Sequence, residues 1–289
     1  MEVIEIKPSG YCLGVINAIT TAIKVRKENP NASIYVFGLL VHNDDVTKEL
    51  NAYSIETIDI TNIDIIKRLE EFSSNDIVIF TAHGHPQIYE DILSRKNVRF
   101  IDTTCSFVKK NIELIEMNKM NRQIIYIGKN NHPETVAALS TSDRVLLYEK
   151  GKPFDYSMIK CKDPLVINQT TLSFLELLDI HKEIKEKING AIIEDEICNA
   201  TRVRQEKLTH IDDDVDLIVI IGSNKSSNTK KLFEIALQNR KVKDIYMVNS
   251  LEEVKKIDLK EHKKVVLASG TSTSINVIQE IRKYLEGTK

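Results

Sequence analysis

Three cysteines divide this chain at equal steps. Cys12, Cys105 and Cys198 lie 93 residues apart, and the sequence around each repeats as well. A repeat of this kind constrains the fold more than any local propensity, because each copy must build the same supersecondary unit. A short β-branched run precedes each cysteine: VIEI before Cys12, VRFID before Cys105 and AIIEDEI before Cys198. Such runs read as strands. A helical pattern follows each one. Val15, Ile19, Ala22 and Ile23 recur at helical steps after the first cysteine, and Val108, Ile112 and Ile115 after the second. Ala200, Val203, Leu208 and Ile211 form the expected apolar face after the third, opposite many charges.

Each unit continues into an apolar strand that ends in glycine: IYVFG to Gly38, IIYIG to Gly128 and LIVIIG to Gly222. The polar clusters LLVHN, KNNHPE and SNKSSN follow. A second apolar run closes each unit in IVIFTAHGHP, LVINQTTLS and VVLASGTSTS, with helical stretches such as NIDIIKRLEEF and TKKLFEIALQ between. Strands alternating with helices imply βαβ crossovers and parallel sheets buried on both faces. The fold class expected is therefore α/β, with three domains: 14–105, 106–194 and 195–289. The N-terminal strand within 1–13 is expected to complete the sheet of the third.

Composition narrows the partners. Hydrophobic residues at 42% and charged residues at 28% supply an ordinary core. A net charge of -2, with both signs interspersed, argues against nucleic acid or an anionic membrane as the main partner. The start MEVIEIKPSG lacks the basic and apolar regions of a signal peptide, and the run LIVII at 217–221 is far too short to span a bilayer. A soluble, cytoplasmic protein is expected, in which the four cysteines remain thiols.

Ligands of open parallel sheets bind beyond the carboxyl ends of the strands, where the polar clusters lie. If a pseudo-three-fold axis relates the units, the three cysteines meet on it, each at a helix start that favours thiolate. Structural zinc sites bring cysteines in close C-x₂₋₄-C pairs, and none exists here. One cysteine per domain suits an iron–sulfur cluster with an open iron able to act as a Lewis acid. Cys161, in MIKCKDP, stands outside the repeat and reads as a passive thiol. His42, His83 and His132 follow apolar strands at comparable points and suggest a shared anion or oxygen site; His85 has no counterpart. Glu134, after His132 and Pro133, is either a helix start serving the dipole or a carboxyl group whose pKa burial raises for proton donation. GSNKSSN at 222–228 either holds phosphate or uses Ser227 or Asn228 to cap a helix. The same two readings apply to Gln169–Thr170–Thr171 and to GTSTS at 270–274. Neither a Walker A loop nor a GxGxxG motif occurs.

Taken in order, GYCLGV around Cys12, VHN, AHG, TTC at Cys105, HPE, QTTLS, IC-x-AT at Cys198, SSN at 226–228 and GTS ending at Ser272 resemble the LytB family of 4-hydroxy-3-methylbut-2-enyl diphosphate reductases. The resemblance covers nearly the whole chain. It implies a trefoil of three pseudo-three-fold-related α/β domains with small parallel sheets around one central 4Fe-4S cluster. The metal ligands would be Cys12, Cys105 and Cys198. His42, His83, His132, Thr170, Ser226, Ser227, Asn228 and Ser272 would bind the substrate, with Glu134, His132 and Thr170 as the catalytic set. The implied reaction is reductive dehydroxylation of (E)-4-hydroxy-3-methylbut-2-enyl diphosphate to isopentenyl and dimethylallyl diphosphate, the last step of the non-mevalonate isoprenoid pathway. Ferredoxin or flavodoxin would supply the electrons. Ser106 stands where this family commonly has proline, and Asn199 where it commonly has tyrosine; both adjoin expected ligands and bear on access or potential. The rival readings are a quinolinate-synthase-like cluster dehydratase and a zinc-stabilised protein that binds phosphorylated metabolites.

Overall fold

The computed structural model describes residues 1–41, 43–194 and 197–287, with Asp44 by its backbone alone. An opening strand β1 (Glu2–Glu5) leads to α1 (Leu13–Glu28), β2 (Ser33–Phe37), α2 (Asp44–Ala52), β3 (Ile55–Ile58), α3 (Ile65–Glu70), β4 (Asp76–Phe80), α4 (Gln87–Arg95) and β5 (Arg99–Asp102). The second repeat runs through α5 (Ser106–Asn118), β6 (Ile124–Ile127), α6 (Pro133–Leu139), β7 (Val145–Tyr148), β8 (Leu165–Asn168), α7 (Phe174–Lys187) and β9 (Ile192–Ile193). The third comprises α8 (Asn199–Thr209), β10 (Leu217–Ile221), α9 (Ser227–Leu237), β11 (Asp244–Val248), α10 (Leu251–Val254), β12 (Lys264–Ser269) and α11 (Ile275–Gly287).

These strands form three four-stranded sheets, ordered β3-β2-β4-β5, β7-β6-β8-β9 and β11-β10-β12-β1. Every pairing is parallel. The order is the same each time: the second strand of the repeat, then the first, then the third, then a closing strand. In the third sheet that closing strand is β1, whose Glu2 lies opposite Lys264 and whose Glu5 lies opposite Leu267. The N-terminal residues thus complete the sheet that the C-terminal repeat leaves one strand short.

β10 shows why such a sheet needs helices on both faces. All five of its residues, LIVII, are buried. Successive side chains of a strand point to opposite faces, and here they join two separate cores. Ile218 and Ile220 pack with Leu232, Ile235 and Val266, whereas Leu217, Val219 and Ile221 pack with Val265, Ile278 and Ile281. Each such side chain contributes about 1.5–3 kcal/mol on leaving water. The chain forms two compact units, one of residues 1–13, 171–174 and 197–287, the other of residues 14–170 and 175–194. The second holds the β3-β2-β4-β5 and β7-β6-β8-β9 sheets, and the first holds the remaining sheet. No helix among the described residues is long and apolar enough to cross a membrane.

The cysteine-following helices bury their expected faces in two cases. α1 buries Val15, Ala18, Ile19, Ala22 and Val25, and α5 buries Val108, Asn111 and Ile115. α8 differs from the expected Ala200, Val203, Leu208 and Ile211 face, because its buried residues are Thr201, Arg204, Gln205 and Leu208. Three of these four are polar, and their side-chain groups find partners in neighbouring loops and element ends, which an apolar periodicity does not register.

Candidate functional site

In the larger unit, the loops after β4, β6 and β8 assemble a polar group. His132 caps α6: its Nδ1 accepts a hydrogen bond from the Glu134 amide at 3.3 Å, and Pro133 occupies the first turn, where its missing N–H costs nothing. Glu134 is consequently directed inward, with only 2% of its surface exposed. One carboxylate oxygen accepts from the Thr170 amide and the other from Thr170 Oγ1, both at 2.8 Å. Burial raises the pKa of Glu134 to about 7, against the lowering effect of the two Thr170 bonds. Desolvation dominates because both Thr170 donors are neutral and, among the described residues, no cation offsets the buried charge. A carboxyl group in this state holds a proton near neutrality and can release it, as a general acid requires.

His83 joins the same group. Its ring centroid lies 5.8 Å from that of His132, nearly edge-on, and one ligand atom from each of His83, His132 and Glu134 lies within 4.8 Å of the others. Such a triad suits an anion held by imidazole N–H groups, or a cation. Gly84 follows His83 where the loop packs against α5. At φ +84°, with an added Cβ only 3.1 Å from Val108, this position favours glycine. The Cys105 amide donates to Ala82 O at 3.0 Å, tying the second cysteine to the AHG loop. Cys105 is the N-cap of α5, and its sulfur makes no cap bond.

The smaller unit carries the other two cysteines. Cys198 is the N-cap of α8, again with its sulfur not spent on the helix amides. The Cys12 amide donates to Thr271 O at 3.0 Å, and the Thr271 amide donates to Asn228 Oδ1 at 3.0 Å. Asn228 Nδ2 donates to Thr201 Oγ1 at 3.1 Å, and the Thr201 amide donates to Cys198 O at 2.8 Å. A continuous hydrogen-bonded path therefore links Cys12 to Cys198 through the SSN and GTS loops. Ser226, rather than Ser227 or Asn228, caps α9, its Oγ accepting from the Thr229 amide at 3.3 Å. The helix therefore begins at Ser227, one or two residues earlier than the sequence suggests. Ser227 then starts the helix, with its Oγ 3.5 Å from Thr171 Oγ1. Ser272 is buried in the loop after β12.

His42 lies outside the described residues. Cys161 accepts a weak bond from the Gln123 amide at 3.4 Å in the β7–β8 connection, in keeping with a passive thiol. His85 stacks on Phe80 at 3.7 Å and bonds Glu90 at 3.0 Å, a packing role. Sequence reasoning passed over Arg204 and Gln205. Gln205 Nε2 donates to Leu172 O and its Oε1 accepts from the Phe174 amide, both at 3.0 Å, fixing the QTTLS loop to α8. Only the sharing of one helical face by two long polar side chains could have signalled them.

The cysteines fit a thiolate-bound cluster. None of the four is in a disulfide. Cys105 and Cys198 sit at helix N-termini, where the dipole favours the anionic ligand form, with sulfurs not engaged in capping. No two of the three are close enough in sequence for the paired pattern of a structural zinc site.

Residues 3–286 match the family described as LytB protein. A 4-hydroxy-3-methylbut-2-enyl diphosphate reductase of Malacoplasma penetrans (strain HF-2) is 35% identical, aligned over 99% of this chain and 97% of the relative. One of Bacillus subtilis (strain 168), of the same description, is also 35% identical, over 99% of this chain and 91% of its own. The solved E-1-hydroxy-2-methyl-but-2-enyl-4-diphosphate reductase of Plasmodium falciparum superposes with a TM-score of 0.85 at 29% identity, covering 99% of this chain and 88% of that one. A second solved structure, described as the terminal enzyme of the non-mevalonate pathway, gives a TM-score of 0.70 at 25% identity, with complete coverage of both chains.

Proposed function

The chain belongs to the LytB family, and on that premise we propose that it reduces (E)-4-hydroxy-3-methylbut-2-enyl diphosphate to isopentenyl and dimethylallyl diphosphate. In this reaction the substrate's C–O bond breaks, the hydroxyl leaves as water and a C–H bond forms, with two electrons and two protons consumed. Cys12, Cys105 and Cys198 would hold one 4Fe-4S cluster. When bound, such a cluster supplies electrons singly and an open iron that polarises the leaving hydroxyl. Ferredoxin or flavodoxin is the electron donor in this reading, and a cytoplasmic location suits thiols kept reduced.

The protein's own groups do the rest. His42, His83, His132, Ser226, Ser227, Asn228 and Ser272 bind the diphosphate, largely through neutral donors that orient it without neutralising it. Thr170 adjoins the hydroxymethyl end of the substrate and holds the Glu134 carboxyl through its amide and Oγ1. Glu134 delivers a proton from its carboxyl oxygen, with His132 as its neighbour on the same helix start. The observation that carries this reading is the Glu134 carboxyl: buried, held at both oxygens by Thr170, and titrating near neutrality.

The test is anaerobic purification with iron, sulfide and zinc analysis, followed by turnover with reduced methyl viologen and the hydroxymethylbutenyl diphosphate. Iron and sulfide in equal amounts, with both isoprenoid diphosphates as products, are expected. Zinc without sulfide would sink the cluster, and the same analysis reads out any zinc held by His83, His132 and Glu134.

A further inference from the structure

Arg204 is a buried cation that the reaction above does not use. It lies on α8, six residues after Cys198, with 1% of its surface exposed. Its Nη1 donates to Ser269 O at 2.9 Å and its Nη2 to Gly10 O at 2.7 Å. Gly10 precedes Cys12 by two residues, and its amide donates in turn to Ser269 Oγ at 3.0 Å. One guanidinium therefore pins the turn before Cys12 to the end of β12 and to the helix that begins at Cys198.

Two carbonyls do not balance a charge. A buried guanidinium is costly unless an anion accompanies it, and both acceptors of Arg204 are neutral. Burial lowers its pKa to about 10, the mark of a guanidinium held out of water. Its Nε–H makes no hydrogen bond among the described residues, so one donor is left over from the backbone contacts. The geometry fixes that charge between the turn before Cys12 and the helix that starts at Cys198, where an apolar side chain would carry no such electrostatic cost.

Building on the cluster reading, we propose that Arg204 is a positioning residue for the iron–sulfur cluster. It holds the Cys12 turn and α8 in ligating register and supplies the buried positive charge that favours the reduced form. An electron added to a cluster makes it more negative, and a fixed cation in a medium of low dielectric stabilises that form over the oxidised one.

The experiment compares the reconstituted wild type with Arg204→Gln and Arg204→Lys, with circular dichroism confirming the fold. At the wild-type midpoint potential, the ratio of reduced to oxidised cluster in Arg204→Gln is expected to fall by about tenfold, equivalent to about 59 mV for a one-electron couple. Its iron passes faster to a chelator. Arg204→Lys keeps the charge but loses the fork that spans both carbonyls; its ratio stays within about threefold of wild type, which is about half the tenfold interval on the same potential scale, while its iron loss is still accelerated. An unchanged ratio in Arg204→Gln overturns the proposal, as does a fall in Arg204→Lys as large as in Arg204→Gln. Should Arg204→Gln not fold, Arg204→Lys decides: a retained ratio with faster iron loss supports the proposal, and a fall of about tenfold on that scale overturns it. A wild type that takes up no iron and sulfide removes the cluster reading itself, and this proposal with it.

Discussion

In the proposed reaction, Glu134 and Thr170 concentrate the chemistry at the residue scale. The carboxyl keeps its proton to about pH 7, so turnover that depends on it is expected to fall as pH rises through that value. Glu134→Gln should retain cluster and substrate binding while losing about a hundredfold or more in kcat, the range removed with a general acid; unchanged turnover would take Glu134 out of the proton path. The two Thr170 bonds lower the Glu134 pKa. Thr170→Val deletes the Oγ1 donor and should move the alkaline limb of the pH–rate profile upward, whereas Thr170→Ser should leave it in place. Linkage gives a second readout. The folded pKa lies above the ordinary 4.5, so the neutral carboxyl favours the fold below pH 4.5. That contribution is lost as pH rises to about 7, by at most about 3 kcal/mol. Denaturant unfolding at pH 5 and pH 8 should therefore show a pH-dependent loss in wild type that Glu134→Gln lacks.

At the scale of elements, the strand ends and helix starts do the positioning. Gly222 ends β10 at φ +148°, and a Cβ there would come 2.6 Å from Thr229 Oγ1 and 2.8 Å from Thr273 Oγ1. Those threonines belong to the helix capped by Ser226 and to the loop of Ser272. Gly222→Ala should cost roughly 1–3 kcal/mol through strained backbone and displace both loops, raising KM for the diphosphate; a KM equal to that of wild type would show that the loops relax independently. β10 itself tolerates little. Ile218→Ala empties part of a fully buried site and should destabilise by about 2–5 kcal/mol, whereas Leu178→Ala on the exposed face of α7 should stay within about 0.5 kcal/mol. Chemical denaturation of the pair measures the contrast.

For the whole molecule, the repeat makes a comparison among the four thiols. Cys12→Ser, Cys105→Ser and Cys198→Ser should each abolish the iron and sulfide content, while Cys161→Ser should leave it at the wild-type value. Iron analysis after anaerobic reconstitution distinguishes them, and loss in Cys161→Ser would contradict the division that the repeat makes. The same repeat made the sheets legible: each apolar run ending in glycine is a parallel strand, and β1 closes the third sheet as expected, although the equal intervals alone did not require it. The motif order likewise carried the reading of the family.

The sequence by itself determined the periodicity, because burial on both faces of a parallel strand demands unbroken apolar runs and a cysteine at each helix start shows in any copy of the unit. It also singled out Glu134 but left two roles open for it, since a helix-start glutamate and a proton donor have the same local sequence. Only the tertiary structure decided its surroundings: the carboxyl is buried against Thr170, a residue distant in sequence, where desolvation outweighs the hydrogen bonds, and this supports the proposed proton donor. The inward face of α8 was hidden for the same reason. Arg204 and Gln205 read as solvated charge and polarity until the carbonyls of Gly10, Ser269 and Leu172 show what they satisfy, and such partners are set by packing rather than by any pattern along the chain.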